Sequence, residues 1–582
     1  MEGRRKPRGD GRDGPNGLSS RASTKTFASN RMTLPPLSAS SPLPPPPFLP
    51  QQNNNKKNKK KKTKKKKVKM KHQSAATEAK NKQKEAAVTA GHPKRRVAWL
   101  SQLETQTEVA LTTKAKKRLR EHDAALVEET GIRKLRRMNG KQQAKGLDSL
   151  AEAKRPRFIS KLLLPRVCYI CKQKYTKLHF FYDQLCPWCA ALNYGNRFVT
   201  ANLEGKVALV TGGRIKIGYQ CCLRLLRCGA MVLATTRFPN DAAARFAAEE
   251  DFKQWKHNLH IYGLDLRDIF SLQRFLHYLT LECPRLDIIV NNAAQTIRRP
   301  PQYYAHLLDK ETVAPPQLPA ALRNLVNNSW NQEHVVQLLP QSAHSGSSGS
   351  SSTSSSTSRS SVLQLKSKTC SSCAEQRPVP SSSLPYATAL TQVPLLDEDK
   401  SPETSQHFPL SIYDHHGQQV DTRPSNTWSQ RLHEVSPIEA LEAHLVNAIA
   451  PFTIASMLKV LMLKDGTEGD KFIINVSSME GKFNRLHKDE RHPHTNMAKA
   501  SLNMLTRSSA LDYARSNIFM NSVDTGWITD EHPQEKMARY GFQPPLDEVD
   551  GMARILHPVF DGLNGGTKHF GLFFKDYSPT SW

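Results

Sequence analysis

Long apolar runs are scarce in this chain of 582 residues. No stretch approaches the roughly 18 consecutive apolar residues that a membrane span needs, so no span is expected. The N-terminal segment MEGRRKPRGDGRDGPNG has no apolar h-region, and no secretory signal is expected. Hydrophobic residues make up 38%, below the roughly 45–50% of globular chains, so the chain is not expected to fold throughout. Acidic residues are also in deficit: 84 Lys and Arg against 52 Asp and Glu leave a net charge of +32. A partner of the basic part is therefore expected to be anionic: nucleic acid, an acidic protein or a lipid headgroup surface. A soluble intracellular setting, cytoplasm or nucleus, follows as the expectation. Thiols stay reduced there, so the ten cysteines read first as metal ligands and core residues.

Composition divides the chain. Residues 1–160 are Pro-rich, then lysine-rich from Lys56 to Lys71, and read as a disordered basic region. Residues 108–138 have the composition of a basic helix within it. The clusters Lys116–Arg120, Arg133–Arg137 and Lys154–Arg157 suit a nuclear address or nucleic-acid contact. A solvated tail is the plainer alternative. Residues 161–200 form a small aromatic, cysteine-bearing module. Residues 201–300 alternate strand and helix, 301–430 read as a low-complexity insertion around SAHSGSSGSSSTSSSTSRSS, and the α/β pattern resumes over 431–582. Without the insertion about 250 residues remain, the size of one doubly wound domain. Replacing 336–420 by a short linker is expected to preserve that domain.

Cys168-x2-Cys171 and Cys186-x2-Cys189 stand fourteen residues apart. Each pair places two thiolates on one turn, and two turns supply a closed tetrahedral site for a structural zinc. Tyr175, Phe180, Phe181, Tyr182 and Trp188 are expected to pack round it, with His179 at the surface. Cys370-x2-Cys373 has no second pair and reads as incidental.

Lys206-Val-Ala-Leu-Val-Thr-Gly runs as an apolar strand into a glycine turn ending at Gly218, followed by an apolar helix. That order sets backbone N–H groups and a helix N-terminus against a pyrophosphate. From here the chain resembles the short-chain dehydrogenase/reductase family, over about 250 of its residues. The resemblance implies an α/β, doubly wound parallel-sheet Rossmann domain. Thr211, Gly212 and Gly218 match the family's T-G-x3-G-x-G turn, and Lys216 replaces its middle glycine. Arg237 ends the next strand where an acidic residue would select NAD(H). NADP(H) is therefore expected, with NAD(H) open as the alternative and a solvent-facing Arg237 as the plainer reading. Asp265 matches the family's adenine-contacting aspartate, Asn291 and Ala293 its N-N-A-G turn, and Thr529 its nicotinamide contact.

The same resemblance assigns catalysis to Asn447, Ser478 and Lys499, and puts Thr495 where the family carries its proton-donating tyrosine. A threonine hydroxyl is a far poorer acid than a phenol. A histidine stand-in, His492 or His494, or a water chain from Lys499 is then expected to carry the proton. The implied function is an NADP(H)-dependent oxidoreductase acting on a carbonyl or hydroxyl of a small-molecule substrate; a homo-oligomer stays open. The alternative is an inactive nucleotide-binding protein that recruits a nucleic-acid or protein partner through its zinc module and basic tail.

Overall fold

A computed structural model describes residues 113–137, 158–314, 317–327, 384–464, 469–485, 488–541 and 543–582. All belong to the second of two compact units, Leu111–Trp582. Lys154–Arg157 and the Cys370–Cys373 pair lie outside the described residues.

The N-terminal module consists of α1 (Thr113–Glu128), α2 (Gly131–Arg137), an antiparallel hairpin of β1 (Phe158–Val167) and β2 (Lys174–His179), and α3 (Pro187–Asn196). The hairpin register shifts between Lys161 and Arg166. There the Leu163 and Leu164 amides, freed from the ladder, donate to the two carboxylate oxygens of Asp123 on α1, at 2.9 and 2.8 Å. α2 is tied down by the Gly131 and Ile132 amides, which donate to the Phe180 and Phe181 carbonyls, both at 2.9 Å. These contacts correct the reading of 1–160 as a disordered basic region for residues 113–137. Val127, Ile132 and Leu135 are buried in the module's core, so residues 113–137 belong to the folded module.

The main domain follows: β3 (Val207–Thr211), α4 (Lys216–Arg227), β4 (Met231–Thr236), α5 (Pro239–Ala247), β5 (Leu259–Gly263), α6 (Ile269–Glu282) and β6 (Ile288–Asn291). After the insertion come α7 (Pro437–His444), α8 (Ala450–Met462), β7 (Lys471–Ser477), α9 (Pro493–Ala514), β8 (Ile518–Asp524), α10 (Glu548–Leu563), β9 (Phe573–Lys575) and β10 (Ser578–Thr580). The sheet order is β10-β9-β8-β7-β6-β3-β4-β5, parallel except for β10. β3, β7 and β8 are buried at every residue because helices cover both faces, which is why they read as unbroken apolar runs. α4, α5 and α10 supply the core on one face, and α6, α8 and α9 on the other. Strand order reverses between β3 and β6, and the crevice above their carboxyl ends is where such sheets bind ligands.

β6 pairs with β7 directly, Ile288 opposite Phe472 through Asn291 opposite Asn475, across the whole insertion. Within 301–430, however, Pro301–Tyr304, Ala305–Glu311, Ala320–Arg323, Tyr386–Leu390 and Pro402–Gln406 are helical. Asp399 is buried on Arg298, with Nη1 donating at 2.7 Å, and Gln418 accepts from Arg214 at 2.6 Å. Much of the predicted low-complexity insertion is thus packed on the domain. Cutting 336–420 would strip those buried partners, so the linker expectation is corrected as well. One helical run among the described residues, Pro437–Met462, is long and apolar enough to cross a membrane, contrary to the reading of the sequence. It is a core helix with 61% of its apolar window buried.

Candidate functional site

The turn after β3 is built by close backbone approach. Gly212 has φ +70°. A Cβ on Gly218 would lie 2.2 Å from the Gly212 carbonyl oxygen and 2.4 Å from Asn292 Nδ2, which itself donates to the Thr211 carbonyl at 3.0 Å. The Ala293 amide donates to Thr211 Oγ1 at 3.0 Å, joining the two turns. Lys216 stands at φ +55°, so the lysine keeps the left-handed backbone that suits the family's glycine. Lys216→Gly should therefore stabilise the protein by about 1 kcal/mol. Gly218→Ala should cost about 3 kcal/mol and abolish nucleotide binding. Chemical denaturation and a nucleotide titration of both variants check the pair.

Arg237 directly follows β4, with its guanidinium 4.8 Å from the Tyr304 ring and donating to Tyr304 Oη at 2.9 Å. Thr388, from the insertion, donates to the Arg237 carbonyl at 2.7 Å. Asp265 is buried and held by Arg267 at 2.7 Å; Arg267 also reaches Glu442 at 2.9 Å. Asn291 Nδ2 donates to Asn475 Oδ1 at 2.8 Å across the β6–β7 pair. Thr529 turns its hydroxyl to Glu531 at 2.7 Å.

Asn447 lies in a π-helical turn, Leu445–Ile449, between α7 and α8. Its side chain makes a two-way pair with the Gln295 backbone, accepting from N at 2.7 Å and donating to O at 2.9 Å. Ser478 accepts from the Glu480 amide at 3.3 Å and caps the Met479–Gly481 turn. Both turns pack on α9, which carries Thr495 and Lys499. Gly481 sits so close that a Cβ would be 2.6 Å from the Lys499 carbonyl carbon. Lys499 Nζ donates to the Val476 carbonyl at 2.8 Å, and burial holds its pKa down at about 8. Ser478 and Lys499 thus lie at the carboxyl end of β7, while Asn447 braces the segment that follows β6 and Thr495 lies one turn before Lys499 on α9.

Neither histidine beside Thr495 is an exposed loop residue. His494 is buried with Nε2 3.2 Å from Thr495 Oγ1; burial, then the charges of His492 and His444, push its pKa down to about 4. At neutral pH it carries no acidic proton of the imidazolium kind. His492, at φ +42°, stacks on Trp428 at 4.0 Å and lies 3.3 Å from Glu480. Trp428 and Glu480 carry no motif, and sequence reasoning missed both.

Among the described residues, the Sγ atoms of Cys168, Cys171, Cys186 and Cys189 all lie within 4.8 Å of one another. The Cys171–Cys186 separation of 3.6 Å is close to the ~3.8 Å between sulfurs set 2.3 Å from a tetrahedral ion, so the donor set fits zinc. Tyr175, Phe181 and Tyr182 are buried round the cluster, as expected. Trp188 is 82% exposed, contrary to expectation, because the first turn of α3 faces Cys189 and Ala190 inward and Trp188 outward. His179, expected at the surface, is buried: its Nδ1 accepts from the Phe181 and Tyr182 amides at 3.1 and 3.4 Å.

The module is anchored to the segment after β8 and to α10. The Trp527 amide donates to Tyr169 Oη at 3.1 Å, and Gln184 donates to the Gln543 carbonyl at 2.7 Å. Ile528 and Leu546 are buried in the module's own core. Arg197 Nη1 donates to Asp547 at 2.6 Å and Asp550 at 3.0 Å, and Tyr182 Oη also donates to Asp550.

The family model described as short chain dehydrogenase matches residues 206–312, and that described as enoyl-(acyl carrier protein) reductase matches 423–547, on either side of the insertion. An uncharacterized protein of Acanthamoeba polyphaga mimivirus is 30% identical over 408 residues, 68% of this chain and 71% of that protein. The 2-dehydro-3-deoxy-D-gluconate 5-dehydrogenase of Pseudoalteromonas atlantica is 34% identical over 99 residues, 17% of this chain and 38% of that protein. The NADPH-bound carbonyl reductase from chicken fatty liver is 15% identical, with 65% of this chain and 100% of that one covered, at a TM-score of 0.36. By its two matching halves on one continuous sheet, the chain belongs to the short-chain dehydrogenase/reductase family.

Proposed function

We propose that the protein is an NADP(H)-dependent oxidoreductase acting on a carbonyl or hydroxyl group of a small molecule, with a structural zinc in the Cys168, Cys171, Cys186 and Cys189 cluster. The observation that carries the reading is Lys499, a buried lysine whose ammonium is fixed on the Val476 carbonyl at the end of the crevice and titrates at about 8. A group poised near the working pH is what proton transfer needs. The bound cofactor supplies the hydride. Asn447 braces the Gln295 backbone beside it, Ser478 offers a hydroxyl at the β7 end, and Lys499 is the proton reservoir behind Thr495. His494, held neutral, supports the water chain from Lys499 over the histidine donor. Arg237 favours the 2′-phosphate of NADP(H).

The test is a cofactor titration of the full chain followed by turnover on a carbonyl panel. NADPH should bind about ten- to a hundredfold tighter than NADH, and Arg237→Ala should erase most of that preference. Reduction should fall as pH rises through about 8, because Lys499 then loses the proton it holds below that value. Lys499→Met should abolish turnover. Absence of nucleotide binding would overturn the proposal. Nucleotide binding without turnover would select the second reading, an inactive nucleotide-binding protein with an anionic partner on its basic region. Two points favour that reading: the resemblance puts Thr495 where the family carries its tyrosine, and Asp265 is already occupied by Arg267.

A further inference from the structure

We propose a second cation site: His415, His416 and Glu548 together hold one divalent ion of the zinc class, tying the insertion to α10 beside the dinucleotide turn. Among the described residues this is the one group besides the four cysteines whose ligand atoms all lie within 4.8 Å. Glu548 Oε1 lies 2.9 Å from His416 Nε2 and 3.7 Å from His415 Nε2. The two imidazoles are 3.9 Å apart between centroids and tilted by 44°, so both rings turn toward one carboxylate.

The donors are fixed before any ion arrives. Asp414 Oδ1 accepts from the His416 and Gln418 amides at 2.9 and 2.8 Å, and Gly417 closes the turn at φ +67°. Arg245 clamps the His416 carbonyl at 3.0 Å. Glu548 is the first residue of α10, whose N-terminus is locked by the reciprocal Asp547–Asp550 capping box. A rigid turn and a rigid helix end are what a preorganised site requires.

The chemistry selects the ion. Two imidazole nitrogens and one carboxylate suit zinc, cobalt or nickel, whereas magnesium and calcium take oxygen ligands. Three protein ligands leave a fourth position open, unlike the closed four-sulfur set. A hydrogen bond to Glu548 would account for His416 alone; it gives no reason for exposed His415 to crowd the same oxygen. α10, which carries Glu548, packs on α4, the helix that the glycine turn opens, with Gly551 against Ile217.

Cobalt(II) titration of the metal-stripped full chain tests this. Two cobalt ions per chain are expected. One should give intense thiolate charge-transfer absorption and the other only weak visible bands without sulfur character. Cys186→Ser should remove the first signal and spare the second. His415→Ala, at an exposed position, should leave one cobalt per chain with the thiolate signal intact, and Glu548→Gln should do the same. Should the stripped chain fail to refold, metal analysis of the native protein against His415→Ala must show a difference of one equivalent. A single cobalt with sulfur character in the unmutated chain, or two ions retained in His415→Ala, overturns the second site. Loss of the thiolate signal alone would overturn the cysteine site instead.

Discussion

Arg197→Met should destabilise the protein by about 3–5 kcal/mol, the cost of stranding buried charge. Arg197 is 2% exposed, and it is the cation that Asp547 and Asp550 share. Its guanidinium also lies 4.5 Å from the Phe181 ring centroid, so methionine retains much of the packing and isolates the electrostatic loss. The deficit should depend on pH. Burial raises the Asp547 pKa to about 6 even with Arg197 present, and without that cation it must rise further. An acid whose folded pKa is raised loses stability as pH climbs from its unfolded value to its folded one. The variant should thus lie closest to the parent near pH 5 and furthest from it near pH 8. Urea unfolding at both pH values measures the gap. A deficit below about 1 kcal/mol at pH 8 would mean that the ion pairs do not anchor the module.

Stripping the proposed zinc from the four-cysteine cluster should have the largest effect. Structural zinc contributes roughly 10–16 kcal/mol of apparent binding free energy to small domains. Here the apolar core is larger than the sequence suggested, including Leu162, Leu178, Phe181 and Leu185 together with Val127, Ile132 and Leu135 of the basic helices. Metal loss should still open it, because Cys168, Cys186 and Cys189 are buried at its centre. The damage should then spread. Tyr169, between the first two ligands, accepts the Trp527 amide, and Ile528 and Leu546 lose the core that covers them. That segment carries Thr529, so NADPH affinity should fall at least about tenfold with the metal, or in Cys186→Ser, while the sheet persists and unfolds in a separate transition. Unchanged nucleotide affinity after metal loss would show that the segment following β8 orders itself.

Much of this architecture was legible in the sequence, for identifiable reasons. A parallel sheet covered on both faces writes its strands as continuous apolar runs, and the close approaches at Gly212 and Gly218 leave residues of one type only. Paired CxxC spacing is similarly local. What was missed depends on distant partners. Val127, Ile132 and Leu135 sit among lysines and arginines, and charge density argued for solvation until β1 offered them a surface. The insertion's folded parts have no apolar periodicity, because they are held by buried polar pairs such as Asp399 with Arg298. His179 looked dispensable because nothing local reveals that two backbone amides would need its Nδ1. Arg197 and Asp550 are 353 residues apart, and their pairing leaves no trace at either position.

The direct pairing of β6 with β7 also sets a timetable for synthesis. Asn291 finds Asn475 only after 184 further residues have been made. At roughly 5–20 residues per second, β6 waits about 10–40 s on the ribosome with an unpaired edge. During that interval β5, β4, β3 and β6 form a half-sheet with its most apolar strands at the open side, the kind of template on which another chain can add. The nascent protein should therefore be most prone to association at one stage, between the emergence of Asn291 and that of Ser477. Slow translation of the intervening residues would lengthen its exposure without altering the finished fold.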